Sequence, residues 1–166
     1  MIGNDIIDRE AAANESNWRR HGFLEKIFTK IEQEIITSST DPDLVVWLLW
    51  SMKESAYKIV NRRTGIRKFD PQSYEAILTF VKPAVARGFV YYQKQQFSTR
   101  SKFSPQIIDT VAVEQDYLLD FVSDIPDQEI VKIGSLPFDK LLNPISKSQH
   151  GRFRRAVSLT YTKLVF

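Results

Sequence analysis

Seven consecutive apolar residues, Leu44 to Trp50, run directly into three charged side chains, Lys53, Glu54 and Lys58. Helix-start and helix-stop signals around this segment predict one helix from about Pro42 to Val60. A segment this apolar has to be buried in a folded domain. The fold must therefore place the helix in its core and still accommodate the charged side chains that follow.

The spacing within this helix places particular side chains on common faces. Trp50, Glu54 and Lys58 are each four residues apart and share one face, while Lys53 and Tyr57 form a neighbouring line. A buried carboxylate without a partner is costly, so either Lys58 or a metal ion is expected to neutralise Glu54. The alternative is a helix that leaves the core at Lys53 and carries ordinary solvated charges beyond it.

The chain divides into an early helical part and a late strand-rich part. Residues 1–8 predict a first strand, and apolar residues at three- and four-residue spacing predict a helix from Ser16, as its N-cap, to about Glu34. β-branched and aromatic residues predict strands at Tyr74–Val81, Arg87–Gln95, Lys102–Glu114, Ile130–Ile133 and Ala156–Phe166. Helices followed by strands around one initial strand predict an α+β fold.

Composition narrows the class of protein further. The 166 residues are 43% hydrophobic, enough for a core in one domain, and contain no cysteine for a disulfide or a zinc–thiolate site. The N-terminus is acidic after three residues and is unlike a signal or transit peptide, so we expect a cytoplasmic protein without a membrane partner. A net charge of +3 suits an acidic protein or a phosphate ligand and is below the strong bias of dedicated nucleic-acid binders.

The first strand contains a second candidate carboxylate. Gly3 would let its backbone approach a neighbour closely, and Asp5 is a polar residue in an otherwise apolar segment. Asp5 and Glu54 together could hold one hard cation, because Mg²⁺ is usually bound by one or two carboxylates plus substrate phosphates and water. The alternative is that Asp5 is a turn residue or a helix cap.

Four sequence segments together resemble a known family. They are G-N-D at Gly3, F-L-E-K-I-F-T-K-I-E at Phe23, W-S-M-K-E-S-A-Y-K at Trp50 and S-K-S-Q-H-G-R-F at Ser146. They resemble the 4′-phosphopantetheinyl transferase superfamily, in the short form typified by holo-acyl-carrier-protein synthases. This resemblance implies a fold in which an N-terminal strand and helices pack on an antiparallel sheet.

The resemblance also implies a reaction and roles for individual residues. The phosphopantetheine arm of coenzyme A would be transferred to a serine of an apo acyl carrier protein, releasing adenosine 3′,5′-bisphosphate. Asp5 and Glu54 would bind Mg²⁺ or Mn²⁺, Glu54 would take the serine proton, and Lys58 would lie at the transferred phosphate. The residues implied to contact coenzyme A are Lys53, Lys58, Ser148, His150 and Arg152. Lys53 has the alternative of pairing with a carboxylate.

Two parts of the chain depart from the family pattern. Gln149 stands where the family has a histidine, with His150 one place later. The region at about 72–140 is longer than in the short form, so we interpret residues 1–166 as one domain with an unmatched β-rich insertion. That insertion could serve assembly or the choice of carrier protein.

Partners follow from the same resemblance. An acidic carrier protein would meet basic residues such as Arg19, Arg20 and Lys26, although these could also form a plain solvated helix face. Short-form members assemble as trimers, which implies a homotrimer here.

Two other functions are compatible with the sequence. One is a non-catalytic relative that binds coenzyme A or a carrier protein without transfer. The other is a nucleic-acid-binding module that uses Arg62, Arg63, Arg67 and Lys68 beside aromatic strands. The low net charge and the absence of a known binding motif argue against the second.

Overall fold

The computed structural model describes residues 1–160, so the predicted strand Ala156–Phe166 lies only partly within the described residues. The helices are α1 (Arg9–Glu15), α2 (Phe23–Ile27), α3 (Lys30–Ser38) and α4 (Pro42–Thr64). The first five strands are β1 (Ile2–Asp8), β2 (Tyr74–Lys82), β3 (Val85–Tyr92), β4 (Gln95–Phe103) and β5 (Ile107–Val113). The last five are β6 (Val122–Asp124), β7 (Val131–Ile133), β8 (Leu136–Phe138), β9 (Ile145–His150) and β10 (Phe153–Leu159).

The main sheet is antiparallel and has the strand order β1-β5-β4-β3-β2. Helix α4 packs across it, and Leu49, Met52 and Ile59 of this helix are fully buried against sheet residues such as Phe97. Burial of several large apolar side chains, each worth about 1.5–3 kcal/mol, anchors the helix. Because all seven residues of β1 are buried as well, the first strand and α4 form the rigid centre of the molecule.

A second, smaller sheet covers the free side of β1. It has the order β6-β10-β9 and encloses its own apolar cluster with Ile2, Val113 and Leu119. Strands β7 and β8 form a separate two-stranded hairpin. The N-terminal strand is therefore held between β5 of the main sheet and the β9–β10 hairpin.

The predicted α+β class is confirmed, with helices packed on antiparallel sheets. The predicted first strand and the long helix are confirmed too: the Asp41 side chain accepts a hydrogen bond from the Leu44 amide, and Gly65 ends α4 in the left-handed conformation. Within residues 1–160, none of the helices is both long and apolar enough to cross a membrane.

The helix predicted from Ser16 to Glu34 is wrong. Ser16 ends α1 rather than starting a helix, and the segment holds two short helices, α2 and α3. Gly22 at φ +79° precedes α2. Thr29 starts α3 with a capping box, in which its side chain and that of Glu32 bind each other's backbone amides. Apolar residues do recur at helical spacing in this segment, but the helix ends at Gly22 and Thr29 divide it into separate short helices.

The predicted strand at 102–114 is two strands. Its start belongs to β4 and its remainder to β5, with Pro105 in the turn between them. Strands β2 to β5, which include most of the proposed insertion, pair in one sheet with β1. The division of the chain into a family domain and an insertion stays a prediction.

Candidate active site

A cleft of about 390 Å³ lies where β1, α4 and β9 meet. Helix α4 contributes Trp50, Glu54 and Lys58, which confirms that these three side chains share a face. The lining also includes six other residues with polar side chains, namely Asp5, Ser16, Lys147, Ser148, Gln149 and His150. Five of the predicted site residues therefore meet in one cleft: Asp5, Glu54, Lys58, Ser148 and His150.

The two carboxylates of the cleft differ in their surroundings. Asp5 Oδ1 lies 3.3 Å from Lys58 Nζ and 3.0 Å from the Ser148 hydroxyl. The Glu54 carboxylate has no hydrogen-bond partner within residues 1–160. Burial raises the pKa of Glu54 to about 7, the negative charge of Asp5 adds to the rise, and Lys58 opposes it. Lys58 thus pairs with Asp5, whereas Glu54 has no ion pair within residues 1–160, although Lys147 also lines the cleft.

A divalent cation fits this pair of carboxylates. A half-buried carboxylate without a hydrogen bond, beside a second carboxylate, is a position where a bound cation would lower the raised pKa. The described residues contain no group of three or more His, Asp or Glu side chains placed to bind a metal. The chain therefore offers two ligands, the number that Mg²⁺ commonly takes when substrate phosphates and water supply the others.

Lys58 is oriented by the strand that it faces. Its ammonium group donates to the Asn4 carbonyl over 2.6 Å and lies beside Asp5, and its side chain is 27% exposed. A partly exposed ammonium held at the edge of a cleft can still donate to a bound phosphate. Lys58 is therefore placed to bind an anionic ligand and to offset the charge of Asp5.

Strand β9 meets β1 through side chains rather than through a backbone ladder. Alternate side chains of β9 accept hydrogen bonds from alternate amides of β1. The three bonds run from the Asn4 amide to Ser146 Oγ (2.8 Å), from Ile6 to Ser148 Oγ (3.0 Å) and from Asp8 to His150 Nδ1 (3.0 Å). The edge of β1 that β5 leaves free is thereby covered.

This arrangement fixes the role of the histidine next to Gln149. Because His150 Nδ1 accepts the Asp8 amide, the ring proton of the neutral form lies on Nε2, which is 3.3 Å from a Glu15 carboxylate oxygen. The Gln149 side chain points to the opposite face of the strand and is exposed. The shift of the histidine by one place thus puts it in the row of side chains that face β1.

Lys53 does not lie in the cleft, although sequence reasoning placed it at coenzyme A. Its side chain is fully buried, and its ammonium group binds Glu32 over 2.6 Å and the carbonyls of Ile27 and Pro71. With all three donors used inside the core, Lys53 cannot reach a diphosphate. We therefore correct its assignment to the stated alternative, pairing with a carboxylate.

Arg152, the other residue that lies outside the cleft, binds the N-terminus of α1. Its guanidinium makes two hydrogen bonds of 2.8 Å to Asp8 and contacts Glu10 over 2.9 Å. The Asp8 side chain is 2% exposed, also caps α1, and has its pKa held well below the usual range by Arg152. Arg152 therefore holds the start of α1 against the β9–β10 turn, and its position does not support the predicted contact with coenzyme A.

The basic residues predicted to bind a carrier protein differ in how far they are engaged within the protein. Arg19 binds both carboxylate oxygens of Asp43 and stacks on Trp18. Arg20 lies over the ring of Phe23, whereas Lys26 is exposed. Their role in binding a carrier stays a prediction.

Sequence reasoning missed several residues of the cleft wall. Trp47 precedes Trp50 by one helical turn, so the spacing that grouped Trp50 with Glu54 could have included it. The prediction for Ser16 is a helix cap, which gives no sign of its place in the cleft wall. Lys147 and Gln149 alternate with the side chains that face β1. Nothing in the local pattern identifies Lys147, and the sequence marks Gln149 only as the residue at the family's histidine position.

Comparison with known proteins agrees with this geometry. The profile of the 4′-phosphopantetheinyl transferase superfamily matches residues 1–122, which is most of the chain. The chain belongs to this superfamily. It is also 36% identical over 77 residues to a holo-[acyl-carrier-protein] synthase from Caldanaerobacter subterraneus subsp. tengcongensis. That alignment covers 46% of this chain and 58% of the relative, so the chain spans less than two thirds of the curated relative that it matches.

Proposed function

We propose that this protein transfers 4′-phosphopantetheine from coenzyme A to a serine of an apo acyl carrier protein and releases adenosine 3′,5′-bisphosphate. The observation that carries the proposal is the meeting of Asp5, Glu54 and Lys58 in one cleft. Membership of the superfamily and the name of the matched relative support it.

The cleft residues suggest a division of roles. Asp5 and Glu54 would hold Mg²⁺, which when bound supplies positive charge to a diphosphate. Lys58 donates to the phosphate that is transferred and stabilises its developing charge. Glu54 is the carboxylate that accepts the serine proton. The serine oxygen forms a bond to the β-phosphorus as the bond to the bisphosphate leaving group breaks.

Intact mass spectrometry of a carrier protein tests the proposal directly. Apo acyl carrier protein is incubated with the purified chain, coenzyme A and Mg²⁺, and a gain of one phosphopantetheine is expected. The gain should disappear with EDTA, with Glu54→Gln and with Lys58→Met, and should persist in Lys94→Met, a control at an exposed lysine of the β3–β4 turn. No gain on several unrelated carriers would contradict the proposal.

A second candidate is a relative that binds coenzyme A or a carrier protein without transfer. The observation in its favour is that two predicted coenzyme contacts, Lys53 and Arg152, are engaged within the protein. Binding of coenzyme A in calorimetry without any mass gain on the carrier would support this candidate. The trimer, the cytoplasmic location and the choice between Mg²⁺ and Mn²⁺ stay predictions.

A further inference from the structure

The Ser148 hydroxyl links the backbone of β1 to one of the two candidate metal ligands. Its oxygen accepts the Ile6 amide over 3.0 Å and lies 3.0 Å from Asp5 Oδ1. A hydroxyl carries a single proton. Because the contact with Ile6 uses a lone pair, that proton is available for Asp5, and Ser148 is the donor in the second bond.

Asp5 Oδ1 is consequently bound on two sides. Ser148 and Lys58 both donate to it, and Lys58 is fixed in turn by the Asn4 carbonyl. No hydrogen bond reaches Asp5 Oδ2 from any residue between 1 and 160. The carboxylate therefore has one restrained oxygen and one oxygen available to a ligand.

We propose that Ser148 is a positioning residue, which holds Asp5 in the orientation that offers Oδ2 to a divalent cation. This inference rests on the proposed function and changes the predicted role of Ser148 from a contact with coenzyme A to an outer partner of a metal ligand. Hydrogen bonds of this kind orient carboxylate ligands, and their loss typically weakens metal binding by about 10- to 100-fold.

Ser146 provides a matched control on the same strand. Its hydroxyl accepts the Asn4 amide over 2.8 Å, as the Ser148 hydroxyl accepts the Ile6 amide, but within residues 1–160 it makes no hydrogen bond to Asp5. Replacing either serine by alanine removes one bond between β9 and β1. Only Ser148→Ala also removes the donor to Asp5, so a difference between the two variants isolates that bond.

The experiment measures Mn²⁺ binding from the loss of the free Mn²⁺ signal in electron paramagnetic resonance, with coenzyme A present and no carrier. Ser148→Ala should bind Mn²⁺ about 10-fold more weakly than the wild type. Ser148→Thr, which keeps the hydroxyl, should recover most of the affinity, and Ser146→Ala should stay near the wild type.

Three results would overturn the inference. Unchanged Mn²⁺ affinity in Ser148→Ala would mean that Asp5 needs no outer partner, and an equal loss in both alanine variants would mean that β9 acts only as general support. In either case the wild type would still bind Mn²⁺ and modify the carrier, so the proposed function would stand. A wild type that neither binds Mn²⁺ nor modifies any carrier would remove the proposed function and this inference together.

Discussion

The Lys53 ammonium and the Glu32 carboxylate lie 2.6 Å apart with neither side chain exposed to solvent. Glu32 also accepts the amides of Thr29 and Ala76, so this one carboxylate connects the start of α3, the middle of α4 and the start of β2. Lys53 immediately precedes Glu54 in α4. The pair thus fixes the rotation of the helix that presents Glu54 to the cleft.

Removing one member of this pair should destabilise the protein strongly. Lys53→Met leaves the Glu32 carboxylate buried without its cation, which typically costs about 3–5 kcal/mol. The free energy of unfolding from urea titration measures the loss, with exposed Lys94→Met as the control. The double variant Glu32→Gln/Lys53→Met should recover part of it. A loss no larger than that of Lys94→Met would show that the pair is not a major source of stability.

The ion pair between Asp8 and Arg152 should make stability depend on acid pH. Hydrogen bonds from Arg152 hold the pKa of Asp8 well below its ordinary value of 3.8. The pair therefore stabilises the folded state above about pH 3.8 and loses this effect as the pH falls below it and Asp8 takes up a proton.

The urea midpoint of Arg152→Met should accordingly lie below that of the wild type at pH 6, and the gap should narrow in strong acid. Arg154→Met is the matched control, because Arg154 on the next strand pairs with Asp127 at a mostly exposed position. A gap that stays constant down to about pH 2 would contradict the role assigned to Asp8.

Glu54 should destabilise the metal-free protein at neutral pH. Its pKa is raised to about 7 in the folded state. The folded state therefore loses stability as the pH rises from about 4.5 to 7, by at most about 3 kcal/mol, because ionisation is easier in the unfolded chain.

Glu54→Gln should remove this pH dependence and raise the melting temperature of the metal-free protein at pH 8, while abolishing transfer. Differential scanning fluorimetry in EDTA measures the change. Adding Mg²⁺ with coenzyme A should stabilise the wild type more than the variant. A variant that melts at a lower temperature than the wild type at pH 8 would contradict the prediction that ionised Glu54 destabilises the folded state.

Gly3 should be intolerant of any side chain. A Cβ atom there would overlap the Ser55 carbonyl of α4, so the strand carrying Asp5 and the helix carrying Glu54 would have to separate. Gly3→Ala should cost about 1–3 kcal/mol or more and also weaken Mn²⁺ binding.

Gly88→Ala is the control for this substitution. Its Cβ would overlap the Ile77 carbonyl within the β2–β3 pair and would also meet the flexible end of the Met52 side chain of α4, but none of the cleft residues. It should lower stability and leave Mn²⁺ binding by the folded protein unchanged. Equal effects of the two substitutions on metal affinity would contradict a specific role for the β1–α4 contact.

Much of the site could be predicted from local sequence because the signals for α4 are local. Asp41 and Gly65 define the helix ends, and the four-residue spacing of Trp50, Glu54 and Lys58 defines the face. The spacing within α4 could not predict that the Lys53 side chain points into the core instead of the cleft, because its partner Glu32 lies 21 residues away on another helix. Burial of a lysine depends on such distant partners.

The remaining errors have similar causes. The sequence predicts strand β4 only at its two ends, within the segments 87–95 and 102–114. Its middle carries Ser98, Thr99 and Ser101 at buried positions and so has no apolar alternation to detect. The division of the predicted helix at 16–34 depends on the conformation of Gly22 and on the capping box at Thr29. Apolar periodicity predicts where a helix can form, and capping residues decide where it ends. In this segment the capping residues set the helix boundaries.

The bonds between β1 and β9 join residues 142 positions apart in the chain. During synthesis the strand that carries Asp5 leaves the ribosome long before β9, and its outer edge stays uncovered until Ser146, Ser148 and His150 have emerged. Contacts this distant in sequence close the longest loops and form slowly. We therefore expect the cleft to be completed late in folding, and nascent chains that stop short of β9 to have a main sheet with β1 as an open edge.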